Sequence, residues 1–136
     1  MTLEVLREGK HRFVGRNDRG AEVVLGRAGA EGAFSPVELL QIAVAGCSAV
    51  TAEELIVRRV GEDAEFRVVV SADRRVGVAE LDGVRVVFEV DLAGLAGDVR
   101  EGMVRAVERA VERLCTVRRT LVKGVPVVEE FPGSQR

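Results

Sequence analysis

Ser35-Pro36-Val37-Glu38-Leu39-Leu40-Gln41-Ile42-Ala43-Val44-Ala45-Gly46-Cys47-Ser48 combines a helix start with an unusual helix interior. Serine at the N-cap, proline at the first helical position and glutamate three residues after the serine predict a capping box. The helix is expected to run to about Arg59 and to end near Gly61. From Val37 to Ala52 it is apolar nearly all the way round, so it must be covered on every side. One sheet of a small domain covers a single side. A second helix or a second subunit is therefore expected to cover the rest. Gly46 costs about 1 kcal/mol relative to alanine in mid-helix, which points to close packing there or to access for a substrate beside the next residue, Cys47.

On the N-terminal side, Leu3 to Arg7, His11 to Arg16 and Ala21 to Leu25 read as three short strands. Asn17-Asp18-Arg19-Gly20 is a turn, and Gly26 to Ala33, with three glycines, is a loop. Beyond the helix, Phe66 to Val70 alternates as a half-buried strand. Val76 to Leu81 and Val84 to Leu92 predict a hairpin around Asp82-Gly83. Its second arm points Val86, Phe88, Val90 and Leu92 one way and Arg85, Glu89 and Asp91 the other. Asp98 and Glu101 predict a second capping box, followed by a helix with Met103, Val107, Ala110, Val111 and Leu114 on one stripe. Val125 to Glu129 reads as a final strand. The expected class is α+β: one domain over residues 1–136 with a mostly antiparallel sheet, a long buried helix and an amphipathic one.

The 136 residues are 47% apolar and 31% charged, which fits a globular chain and excludes a largely disordered one. A net charge of −2 supplies no general attraction for nucleic acid or an anionic membrane. Five phenylalanines are the only aromatic residues, which leaves little for base stacking. The start of the chain lacks the basic-then-apolar pattern of a signal peptide. The longest apolar run is interrupted by Glu53 and Glu54, so no membrane span is expected and a cytoplasmic location follows.

In that compartment two cysteines are more often catalytic or packed than a permanent bridge. Cys47 stands three turns into its helix, beyond the dipole of the N-terminus, so ionising it calls for a cation brought in by the fold. Its plain alternative is a small buried core residue. Cys115 ends the amphipathic helix. If a new turn begins there, its amide groups and Arg118 or Arg119 would favour a thiolate. His11 stands alone, and no CxxC or HxxxH spacing suggests a metal site. Gly26, Gly29 and Gly32 are followed by no phosphate-loop lysine.

Ser35-Pro36-x-Glu38-Leu39-Leu40, Ala45-Gly46-Cys47-Ser48 and Cys115-Thr116-Val117-x-x-Thr120-Leu121 with Gly124-Val125-Pro126 together resemble the OsmC/Ohr superfamily. The resemblance implies an intertwined homodimer with two sheets wrapped around central helices and active sites at the interface. It implies reduction of organic hydroperoxides without a cofactor, with Cys47 as the peroxidatic and Cys115 as the resolving cysteine. A dithiol, such as the dihydrolipoyl group of a lipoylated protein, would be the reductant. Gly15-Arg16-Asn17-Asp18 is similar to the segment that supplies an activating arginine, which makes Arg16 the candidate and Arg19 the reserve. The glutamate that holds this arginine in peroxidase branches follows the proline directly. Val37 stands there instead, and Glu38 is the candidate one residue later, turned about 100° around the helix. The Pro-x-Glu-Leu-Leu pattern is closer to an OsmC-related branch. Two other functions remain open: a dimeric module that binds a small hydrophobic molecule, and a redox sensor that forms the same disulfide without turnover.

Overall fold

The computed structural model describes residues 2–133. The chain forms two compact units, Met1–Gly46 with Arg67–Glu89, and Cys47–Phe66 with Val90–Arg136.

In the first unit β1 (Glu4–Gly9), β2 (Arg12–Arg16) and β3 (Glu22–Leu25) form an antiparallel sheet in sequence order. Leu6 lies opposite Val14, and Val14 opposite Val24. At the β2–β3 turn, Asn17 Oδ1 accepts hydrogen bonds from the amides of Arg19 (2.9 Å) and Ala21 (3.0 Å). After β3 the chain doubles back, and Phe34 exchanges hydrogen bonds with Val24 and Gly26. A side chain at Gly26 would meet the Cβ atoms of Ala30 at 3.1 Å and Ala33 at 3.3 Å, so this close return favours glycine.

Helix α1 (Pro36–Val60) begins with the expected capping box. The Glu38 amide donates to Ser35 Oγ (3.1 Å), and the Ser35 amide donates to Glu38 Oε1 (2.8 Å). Ser35 is buried, so Ser35→Ala is expected to lower stability by about 1 kcal/mol. Urea denaturation checks this, and an unshifted midpoint would count against the cap. The helix ends at Gly61, whose φ of 126° suits glycine and whose amide donates to Val57 O (2.8 Å).

The second sheet pairs β4 (Phe66–Asp73) with β5 (Gly83–Val90). Strand β4 alternates half-buried and exposed positions along its eight residues. In β5, Val86, Phe88 and Val90 are half-buried while Arg85 and Glu89 are exposed. The expected hairpin of Val76–Leu81 with Val84–Leu92 does not form. Gly77 takes a φ of 77°, outside the pleat, Val76 is fully exposed, and the Val78 amide turns back to Arg75 O. The uninterrupted β4 is the partner instead, and the Asp82 amide closes the connection on Asp73 O at 2.7 Å.

The second unit holds the rest of α1, α2 (Gly97–Leu114) and α3 (Thr116–Lys123). Ser48, Ala52 and Ile56, one turn apart along α1, are buried, as are Met103 and Cys115. The expected Asp98–Glu101 box is absent. Helix α2 starts at Gly97, two residues earlier than that box requires, its cap is Ala96, and no side chain bonds there. Asp98 falls inside the first turn and acts only as a favourable charge near the helix start. Along α2, Met103 is buried and Val107, Ala110 and Val111 half-buried, whereas Leu114 is exposed.

The new turn weighed after Cys115 is a full helix, α3. Cys115 ends α2 in an extended conformation (φ −73°, ψ 98°), and its carbonyl accepts from the Arg119 amide to start a new helix. The expected strand Val125–Glu129 is also absent. None of the five described strands pairs with it, and unpaired it stays irregular, with Val127 and Val128 exposed. By length and composition alone α1 is apolar enough to cross a bilayer, a test that core helices of soluble proteins also pass. Glu53, Glu54, Arg58 and Arg59 crowd its C-terminal half.

Candidate active site

Two unlike cysteines, one in mid-helix and one at a helix junction, come together in the second unit. Cys47 is half-buried, Cys115 is fully buried, and both are free thiols. The junction explains the second position. Cys115 is the last residue hydrogen-bonded to α2, through its amide to Val111 O at 3.1 Å, and also the N-cap of α3. The first amides of a helix have no acceptor within it. At α3 those of Thr116 and Val117 are offered to Cys47.

Burial acts on Cys47 most strongly and pushes its thiol up. Hydrogen bonding outweighs it: the Cys115 thiol, the amides of Val117 and Thr116 and the Thr51 hydroxyl all favour the thiolate, and Cys47 titrates below the ordinary thiol value. Thr51 stands one helical turn after Cys47, on the same face of α1. Cys115 moves the other way. Burial raises it most, and donating its proton to Cys47 and lying beside that charge raise it further. The Arg118 amide and the Ser48 hydroxyl offset only part of this. The pair is therefore polarised, with Cys47 the readier anion and Cys115 the proton donor.

This arrangement differs from the one expected from sequence. Sequence pointed to a cation for Cys47, yet the groups that lower it are hydrogen-bond donors, three of them at the start of α3 and the fourth Thr51 of α1. The amides foreseen as favouring Cys115 serve Cys47 as well. No acidic residue occupies the first turn of α3, so a Cys47 thiolate would be the anion at that helix terminus. Thr51 and Ser48 were missed, and the amides were expected to act on Cys115 rather than on Cys47. The signal available for the amides was the helix period resuming at Val117, Thr120 and Leu121 after Cys115.

The other candidates lie in the first unit. Arg16, on β2, stands opposite both Glu4 and Glu22 in the sheet register. Its guanidinium binds Glu4 at 2.9 Å and reaches Glu22 at 3.8 Å. Arg19 contacts Asp18 at 3.4 Å. Glu38 is engaged with Ser35, and among the described residues no ion pair joins it to Arg16. Gly46 is exposed, and a Cβ there would meet nothing within 4 Å, so no close packing inside this chain calls for the glycine.

The family model for OsmC-like proteins matches residues 29–130, across both units. Uncharacterised proteins of Mycobacterium tuberculosis and Mycobacterium bovis are 41% identical over 130 residues, which cover 92% of this chain and 91% of theirs. Among solved structures, an OsmC-like protein of Mycoplasma pneumoniae aligns with a TM-score of 0.66 at 14% identity, over 89% of this chain and 86% of that one. A putative osmotic stress induced and detoxification response protein of Psychrobacter arcticus aligns with a TM-score of 0.68 at 17% identity, over 88% and 87%. At such identities the solved structures speak for the fold, while the sequence matches carry the assignment: the chain belongs to the OsmC-like protein family.

Proposed function

We propose that the protein is a cytoplasmic thiol peroxidase that reduces organic hydroperoxides. The observation that supports this most is the polarised pair: a Cys47 thiol held low beside a Cys115 thiol held high. The Cys47 thiolate attacks the outer peroxide oxygen, the O–O bond breaks, and the leaving alkoxide takes a proton to become an alcohol. Cys47 is then a sulfenic acid. The Cys115 sulfur displaces its hydroxyl, which leaves as water, and a Cys47–Cys115 disulfide forms. A dithiol reductant, such as a lipoylated protein, returns both thiols by exchange and is itself oxidised to a disulfide. No step calls for a cofactor.

In this reading the start of α3 supplies the activation that the Arg16–Glu38 pair was expected to supply. Arg16 is engaged by Glu4 and Glu22 instead. Mixing reduced protein with one equivalent of alkyl hydroperoxide should remove two thiols per chain in a single turnover. An unchanged thiol count would end the proposal.

The protein acts as a homodimer in this reading. Leu40, Ile42 and Val50 of α1 are exposed, Val50 at 79%, and Gly46 opens the same helix to close approach by another chain. An aspartate at Val50 would place a charge in that contact. Val50→Asp is therefore expected to sediment as a monomer, and the parent as a dimer; equal masses for the two would remove α1 from the interface.

A further inference from the structure

Between Glu112 and Glu129 the chain carries Arg113, Arg118, Arg119 and Lys123 and no carboxylate, although its net charge is −2. The fold turns this run into a hollow. An open hollow of about 540 Å³ along α3 is lined by Thr116, Arg118, Arg119, Thr120 and Lys123, with Glu112 as its one acid and Val122 and Val125 as apolar wall. Arg119 Nη1 donates to the Glu112 carbonyl at 3.4 Å, which anchors one guanidinium at the wall. Arg118 and Lys123 have no ion pair among the described residues. Two threonines add hydroxyl donors. Three cations, two hydroxyls and a single carboxylate in a concave site suit a carboxylate or phosphate group, which guanidinium binds in a fork. Thr116 lines the hollow and also gives its amide to Cys47, so the hollow shares one residue with the redox pair.

We propose that the α3 hollow is an anion site that holds the carboxylate or phosphate of the molecule processed at Cys47 and Cys115, and so selects for charged over neutral substrates. The proposal rests on the peroxidase reading for the identity of that molecule, but the site has a test of its own. Two tertiary hydroperoxides of matching size are compared at low salt, one neutral and one ending in a carboxylate. The rate of disulfide formation with the anionic one should exceed the neutral rate by about tenfold, and the advantage should fade as salt is raised. In the double variant Arg118→Gln/Lys123→Gln the ratio should drop to near one. The ratio is the readout because any change in the thiols themselves acts on both rates. A ratio near one in the parent, or a ratio the double variant leaves unchanged, overturns the proposal. If neither hydroperoxide oxidises the thiols, the peroxidase reading fails and the site is tested alone. Inorganic phosphate and acetate are then titrated while the amide resonances of Thr116, Arg118 and Thr120 are followed. A saturable shift that the double variant loses supports the site, and the stronger of the two ions identifies the group it takes. No saturable shift overturns it.

Discussion

Cys47→Ser is expected to consume alkyl hydroperoxide at less than about a thousandth of the parent rate, because a serine hydroxyl at neutral pH is not ionised and no base stands ready to activate it. Cys115→Ser should behave differently. Its hydroxyl still donates to Cys47, so the first oxidation should proceed at a similar rate. The reaction then stops: one thiol per chain is lost, a sulfenic acid persists that dimedone traps, and excess peroxide drives it to sulfinic acid. Stopped-flow peroxide consumption and intact mass of the products separate the two variants. Equal effects from both would mean that the cysteines are packing residues, and a small-molecule-binding module would then be the better reading. A disulfide that forms but that no dithiol reduces would favour the redox sensor.

The second large effect is expected from a residue whose side chain is not involved. Thr116 is the first residue of α3, and its amide favours the Cys47 thiolate. Proline is well tolerated at that helix position, and Cys115 before it already has the extended backbone that proline demands (φ −73°, ψ 98°). Thr116→Pro therefore keeps the helix and deletes one donor. A hydrogen bond to a charged group contributes about 1.5–3 kcal/mol, so the Cys47 thiol should rise by about one to two pH units. The thiolate fraction at neutral pH, and the rate of alkylation with it, should fall by about tenfold or more. Thr116→Ala keeps the amide and serves as the control. Arg16→Gln should change the rate far less, since Glu4 and Glu22 already hold that guanidinium. The opposite ranking would return activation to the arginine.

The direction of these shifts also fixes a pH dependence. Cys47 is lowered in the fold, so its ionisation adds stability above the value of the unfolded thiol, about 8.5, and that contribution disappears as pH falls through the folded value. Cys115 is raised, so its contribution has the reverse sign: stability is lost as pH climbs from the unfolded value toward the folded one. Peroxide reactivity should therefore rise with pH through the Cys47 value and level off while Cys115 is still a thiol.

Local chemistry was legible where it is self-contained. Ser35, Pro36 and Glu38 form the cap of α1 with their own atoms, Gly61 ends the helix, and Asn17 closes its turn without help from elsewhere. Strand pairing was not legible in the same way, because it is decided by the partner. Val84–Val90 could have paired with either flank, and Phe66–Asp73 offered eight unbroken residues where Val76–Leu81 contained Gly77. Val125–Glu129 has the composition of a strand, but none of the five described strands pairs with it. At the site, side-chain chemistry drew attention to both cysteines. Of the donors that lower Cys47, the Cys115 thiol acts most strongly, and the Val117 and Thr116 amides beside it are main-chain groups exposed by a break between two helices. A single extended residue, Cys115, creates that break, and residue types alone do not announce it.

Helix α3 and Cys115 together lower the Cys47 thiol, while Cys115 itself is raised. The most direct measurement is the rate of alkylation at each cysteine of the reduced protein as a function of pH, resolved by peptide mass spectrometry. The account predicts that Cys47 reaches its plateau below the ordinary thiol range, while Cys115 begins to react only above it. An inflection for Cys47 at or above about 8.5, or a Cys115 that ionises first, would contradict it.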